Sequence, residues 1–386
     1  MTIEIELDAQ RQEKAREYAR LQRRLMVVDL AFGLIYLLTW LLTGWSQSLK
    51  TCLQEITSNE WLLVALFGLV VGGLFSLLNL PLSFYEGYIL PKRFELSTQT
   101  LQGWITDQVK MALLGGALAL ILLETIYAVL RAFPTTWWLW AAGIMLFFNV
   151  LLANLAPVLI FPLFYKFQPL GEEHANLEKR LFRLAEKART RIQGVFKFDM
   201  SQRTRAANAA LTGLGNTRRI ILGDTLLNEF SDDEIEVILA HELAHHVHKD
   251  IPFGILLQSL VTLVGFYLTS WGLTLAATRM GFTGASDIAA LPLLILFFGA
   301  YGLITTPILN AYLRWRERRA DAYALQATGN GQAFISAMTR LANQNLAEID
   351  PPEWEEFLFG SHPALRKRIE AARDYMAQSA PITLPG

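Results

Sequence analysis

The sequence predicts a mainly α-helical, polytopic membrane protein of about six spans, with a soluble segment that contains a small β-hairpin. Three observations carry this. Of 386 residues, 53% are hydrophobic and only 18% are charged. The apolar residues gather in six blocks near the ~20 residues that a bilayer crossing needs, at 27–45, 62–80, 109–130, 137–161, 251–277 and 290–311. The 34 Lys and Arg residues are distributed unevenly: with the spans numbered in order, all but Lys50, Arg131 and Arg279 fall on one side. The positive-inside rule then puts both termini and the 164–250 segment in the cytoplasm. These arginines are spread over many membrane-flanking segments, which argues against a nucleic-acid partner. The single cysteine, Cys52, excludes a disulfide framework and a CxxC metal site.

The elements follow in order. Residues 4–25 read as an amphipathic, charged helix at the membrane surface, and their acids exclude a cleavable signal peptide. A loop at 81–106, with Lys92 and Arg93, is expected to stay cytoplasmic. Pro157 and Pro162 break up the end of the fourth span, and Gln168-Pro169-Leu170-Gly171 closes it. Two domains result: a membrane domain at 1–163, and a second domain at 164–386 that includes the last two spans and a C-terminal helical region. Leu177, Leu181, Leu184 and Ala188 form a helical stripe. The run from Asn208 to Leu222 reads as a β-hairpin around Gly213-Leu214-Gly215-Asn216-Thr217. No helix follows this glycine pair, so it is a turn and not a phosphate loop. The tryptophans Trp137, Trp138 and Trp140 read as an interfacial belt. Glu124, Asn79, Asn149 and Gln258 are polar groups within spans, suited either to lining a wet cavity or to bonding between helices.

Chemistry concentrates at His241-Glu242-Leu243-Ala244-His245. Ser231 followed by Asp232-Asp233-Glu234 supplies a helix N-cap and an acidic first turn. On that helix His241 and His245 lie one turn apart on one face, where two imidazoles can share a tetrahedral zinc. Glu242 sits beside the metal as a general base. A catalytic zinc needs a third protein ligand. His246 points away from the shared face and reads as a surface residue, and His248 would converge poorly from the same straight helix. Glu317 and Asp321 are one turn apart beyond the sixth span. Glu317 could bind the metal while Asp321 orients a ligand imidazole from behind. An arginine-rich helix with two salt-bridged acids is the ordinary alternative, and spacing alone leaves the two readings even.

From about Lys14 to Tyr375, the chain resembles the integral-membrane zinc endopeptidases of the type I CAAX prenyl protease family. Several separated motifs in the same order carry the resemblance. They are Leu80-Pro81-Leu82-Ser83 with Phe94 and Gln99-Thr100; Pro157 with Pro162-Leu163-Phe164 and Lys166 to Leu170; and Ser201-Gln202-Arg203 with Asn208-Ala209, Arg219 to Leu222 and Asp224-Thr225-Leu226. Glu317 with Ala320-Asp321 and Ser361-His362-Pro363 with Leu365 and Arg368 complete the set. The resemblance implies a zincin-like metalloprotease domain with Glu317 as third ligand and one zinc ion per chain. It nominates His362 and Asn208 as donors to the oxyanion, with the strand at Asn208 and Ala209 receiving an extended peptide. It also implies a peptide or protein substrate, prenylated or membrane-associated, cleaved near its C-terminus at the cytoplasmic face. The host would be the inner plasma membrane of a bacterium or the endoplasmic reticulum membrane of a eukaryote.

The chain departs from the eukaryotic pattern. It lacks their first span and their insertion before the zinc helix, and Ala240 and Ala244 stand where glycines are usual. These differences suggest a compact, bacterial-type relative and leave two other readings in view: a lipid-independent quality-control protease, and a non-catalytic zinc-stabilised scaffold or transporter.

Overall fold

A computed structural model describes residues 7–213 and 218–379. Six helical stretches are long and apolar enough to cross a bilayer: Ala9–Leu42, Glu60–Arg93, Leu101–Ala132, Trp137–Phe164, Asp250–Met280 and Ile288–Thr328. The first is one helix, α1 (Ala9–Leu42), capped by Asp8, whose side chain accepts from the backbone of Gln10 and Arg11. The charged segment is therefore not a separate surface helix. No proline interrupts the run, so the helical hydrogen bonds continue into the first span. Residues 4–6 of that expectation lie outside the described residues. The charged half is held to the C-terminal segment. Gln12 donates to the Ala347 carbonyl (3.2 Å) and accepts from the Ile349 amide (3.2 Å), and Arg23 pairs with Glu355.

After α2 (Trp45–Ile56), α3 (Glu60–Phe84) passes through Pro81 without stopping. A π turn at Tyr85–Ile89 carries it into α4 (Leu90–Arg93), so much of the expected 81–106 loop is helix. Next come α5 (Leu101–Ala132) and α6 (Trp137–Leu155), then a second π turn at Ala156–Ile160 and α7 (Phe161–Phe164). Pro157 thus widens the helix rather than ending it. A proline removes one backbone donor and crowds the carbonyl four residues back, and a π turn absorbs both effects.

The soluble segment starts with β1 (Phe167–Pro169) and α8 (Ala175–Lys187), followed by β2 (Val195–Phe198), β3 (Ala209–Thr212) and β4 (Arg219–Gly223). The expected hairpin is β3 and β4, antiparallel with Ala209 opposite Leu222. The middle of its glycine-rich turn, 214–217, lies outside the described residues. The hairpin is part of a larger sheet in the order β1-β2-β4-β3, with β2 parallel to β4. The short flanking strands carry little alternation, and the sequence reading passed over them. Then come α9 (Asp224–Glu229), α10 (Asp232–Val247), α11 (Asp250–Ala277), α12 (Leu291–Thr328), α13 (Gly331–Gln344), α14 (Glu353–Phe359) and α15 (Leu365–Ser379).

Two large apolar cores result. One packs the leucine stripe of α8 against β4, α10 and α13, through Leu181, Ile220, Leu239 and Phe334. The other lies among the spans around Phe67, Tyr127, Trp137 and Phe266. Trp137 is fully buried, with its ring edge-on to Phe266 at 6.0 Å. It is therefore a core residue of the bundle and not part of an interfacial belt, whereas Trp140 is half exposed and stacks on Phe133. Of the polar groups in the spans, Asn79 donates to Asp29 at 3.0 Å and Gln258 donates to Thr262 at 3.3 Å.

Gly265 and Gly272, seven residues apart on α11, let α12 approach closely. A Cβ would come within 2.6 Å of the Tyr301 ring at the first and of the Phe297 ring at the second. Small residues at such faces allow two helices to pack tightly in lipid. Gly272→Val is expected to lower stability by about 1–3 kcal/mol through overpacking. A Cβ at Gly299 meets nothing within 4 Å, so Gly299→Val should leave stability nearly unchanged. Thermal unfolding of the two variants in detergent checks the difference.

Candidate metal centre

Helix α10 begins with a full capping box. Ser231 accepts from the Glu234 amide, and the Glu234 carboxylate accepts from the Ser231 amide at 2.7 Å. Its far end is stopped by Lys249, which adopts a left-handed conformation (φ 55°) and turns the chain into α11. Between these stops the helix runs through the soluble core, with Leu239, Ala240, Leu243 and Ala244 fully buried. His241 and His245 lie on its remaining face, their rings perpendicular and 5.1 Å apart.

Helix α12 packs along α10 and brings Glu317 to that face. The two Glu317 oxygens lie 3.1 Å from His241 Nε2 and 3.4 Å from His245 Nε2. The three ligand atoms fall within 4.8 Å of one another. Among the described residues no other group of three His, Cys, Asp or Glu donors converges in this way. Each imidazole is held from behind by a carboxylate, with His241 Nδ1 2.9 Å from Asp321 and His245 Nδ1 2.8 Å from Asp250. Arg368 donates twice to Asp321, at 2.8 and 2.6 Å, and Arg316 pairs with Asp250 at 3.2 Å.

The arrangement suits a divalent cation on two grounds. Glu317 Oε2 is buried without a hydrogen-bond partner, although it lies 3.1 Å from His241 Nε2. The carboxylates of Glu242, Asp250, Glu317 and Asp321 outnumber the guanidinium groups of Arg316 and Arg368 by two, which matches the charge of such an ion when the imidazoles are neutral. Two nitrogens and one oxygen match the donor sets found at catalytic zinc sites. The same field acts on protons. Burial lowers the pKa of His241, but the hydrogen bond to Asp321 and the pull of the nearby Glu317 carboxylate outweigh it and raise the pKa to about 9. Burial pushes the Glu242 carboxyl up, against the pull of His241 and His245.

His362 reaches the mouth of the cluster, with Nε2 3.5 Å from Glu317 and Nδ1 2.9 Å from the Ser361 hydroxyl. Its side chain is exposed on the outer side, while partial desolvation of the ring, which faces the cluster, lowers its pKa. Asn208 is exposed at the entry to β3, where its carbonyl accepts from the Gly223 amide at 2.9 Å. No hydrogen bond joins Asn208 to the cluster among the described residues. Ala209 is buried, and β3 contacts α10 while forming an edge of the sheet. His246 is half-buried and not a surface residue; burial, with Arg218 and His245 nearby, lowers its pKa to about 4. His248 turns its ring edge-on to Tyr323 and lies outside the cluster.

Sequence reasoning missed Asp250 and Arg316. Asp250 stood at the edge of an apolar block, where an acid reads as a span boundary. Its only signal was an acid one residue beyond a helix-stopping turn, five residues after His245.

Comparison with known proteins agrees with this architecture. Residues 2–166 match the family model described as the CAAX prenyl protease N-terminal region with five membrane helices. Four of the candidate spans begin within that region. Residues 172–376 match the model of peptidase family M48. A Bacillus subtilis protein described as an uncharacterized metalloprotease, YhfN, is 32% identical over 93% of this chain and 84% of its own length. CAAX prenyl protease 1 of Saccharomyces cerevisiae is 32% identical over 80% of this chain and 71% of its own. The crystal structure of S. mikatae Ste24p superposes with a TM-score of 0.85 at 25% identity, covering 96% of this chain and 91% of that one. The chain therefore belongs to peptidase family M48, and is a multi-span membrane metalloendopeptidase of the CAAX prenyl protease type.

Proposed function

We propose that the chain binds one zinc ion through His241, His245 and Glu317 and cleaves peptide bonds near the C-terminus of membrane-associated proteins, prenylated ones included. One observation carries the reading: both ligand imidazoles are tied back at Nδ1, so both Nε2 atoms and the Glu317 carboxylate face a single point. When bound, zinc supplies Lewis acidity toward water and the scissile carbonyl. The remaining work falls to the side chains. Glu242, with its carboxyl raised by burial, accepts the proton of the attacking water and delivers it to the leaving amine. His362, neutral near pH 7, donates to the developing oxyanion, and Asn208 assists from the entry to β3. The free edge of β3 receives the substrate as an added strand. The unequal distribution of Lys and Arg supports a cytoplasmic position for this site. The yeast relative bears the name of a prenyl protease, which supports a prenylated substrate.

Four outcomes follow. Glu242→Gln should keep its zinc, measured by metal analysis, and lose about 10²–10⁴-fold in peptide cleavage. His362→Ala should also keep zinc and lose about 10²–10³-fold in kcat. At pH 7, below the His241 pKa of about 9, zinc displaces a proton from the metal-stripped protein. Calorimetry in two buffers of different ionisation enthalpy should therefore register proton release, with zinc affinity rising as the pH approaches 9. Matched peptides with and without a farnesyl group test the substrate class. Faster cleavage of the farnesylated peptide is expected, and equal rates would favour lipid-independent quality control.

A further inference from the structure

We infer that Asp250 and Arg316 form a positioning brace for His245, parallel to the one that Asp321 and Arg368 form for His241, with Arg316 acting on Asp250 as an ion-pair partner where Arg368 donates hydrogen bonds. The inference rests on the zinc reading above and extends it to residues with no assigned role.

The geometry is specific. Asp250 is buried to 2% exposure in the first turn of α11. A single oxygen, Oδ2, is hydrogen-bonded to His245 Nδ1 at 2.8 Å and lies 3.2 Å from Arg316 Nε, an ion pair without an aligned hydrogen bond. Asp250 is not the capping residue of α11: Lys249 holds that position and makes no side-chain cap bond. The left-handed turn at Lys249 instead folds the acid back onto the helix that has just ended. Arg316 is pinned as well, with its guanidinium over the Tyr312 ring at 5.7 Å and beside Gly254 in the second turn of α11.

The chemistry explains why such a brace matters. An imidazole that donates from Nδ1 to a carboxylate keeps its Nε2 lone pair free, and its ring cannot rotate without breaking that bond. Arg316 and Glu317 are neighbours on α12, so this one helix acts on His245 from both sides. Glu317 faces Nε2, and Arg316 holds Nδ1 through Asp250. One turn further, Asp321 holds His241 directly. The registry of α12 against α10 therefore sets both rings.

The test measures zinc affinity of the full-length protein in detergent by chelator competition, together with the visible spectrum of the cobalt-substituted form. Asp250→Ala should bind zinc about 10–100-fold more weakly and alter the cobalt bands. Asp250→Asn keeps an oxygen that accepts from Nδ1–H, so it should recover most of that affinity. Arg316→Gln should fall between the parent and Asp250→Ala. Melting of the metal-stripped proteins serves as the fold check. If Asp250→Ala does not fold, the comparison of Asp250→Asn and Arg316→Gln with the parent decides: unchanged affinity in Arg316→Gln overturns the brace. Parental affinity and an unchanged cobalt spectrum in Asp250→Ala overturn it, as do equal losses in the Asn and Ala variants. If the parent itself binds no zinc, the metal reading fails beneath it. Those results separate the two claims.

Discussion

Helices α10 and α12 meet along one face, and the contact places a carboxylate from one between two imidazoles of the other. Neither helix carries a complete site. The two histidines come from a soluble helix stopped at Lys249, and Glu317 comes from beyond two further crossings of the bilayer. At 1.5 Å per residue, the 38 residues of α12 extend about 57 Å. Its first half packs in the membrane bundle against Gly265 and Gly272, and its second half enters the soluble core at Ala324 and Leu325. The chemical site is therefore mechanically continuous with the membrane domain. A shift of α12 by one residue would rotate Glu317 by about 100° away from the histidines.

Electrostatics sets a second condition on the same contact. Carboxylates brought out of water must be matched by positive charge or hydrogen bonds. Here two guanidinium groups match part of the charge, and their arrangement leaves an excess suited to a dication. Arg368 reaches Asp321 from the last helix, α15, so the C-terminal segment also contributes to the site. The pairing of α1 with residues 347–355 fastens that segment to the first span. α1 is thus tied to the stretch that leads into α15, the helix that carries Arg368.

Much of this was legible in the sequence because the controlling patterns are local. The apolar blocks, the Ser231 cap and the leucine stripe of α8 each depend on neighbours a few residues away. The spacing of His241, Glu242 and His245 belongs to the same class. Glu317 and Asp321 were visible as a pair one turn apart, but spacing could not tell metal chemistry from ordinary ion pairing. Their partners lie about 75–80 residues away along the chain, and only the packing of α10 on α12 brings them together. Asp250 was hidden for the opposite reason: it is near in sequence, but its role depends on the backbone conformation of Lys249. The prolines misled because π turns let a helix continue where a donor is missing. Trp137 misled because a tryptophan near a span end can face either the lipid interface or the bundle core, and only packing against Phe266 decides.

The central claim is that a zinc ion joins α10 to α12. X-ray absorption at the zinc edge on the purified full-length protein tests it most directly. The account predicts one equivalent of zinc with nitrogen and oxygen neighbours at about 2.0–2.2 Å, scattering from two imidazoles and none from sulfur. Glu317→Ala should remove one oxygen from that shell while both imidazoles remain. An imidazole count other than two, or a zinc environment unchanged by Glu317→Ala, would contradict it.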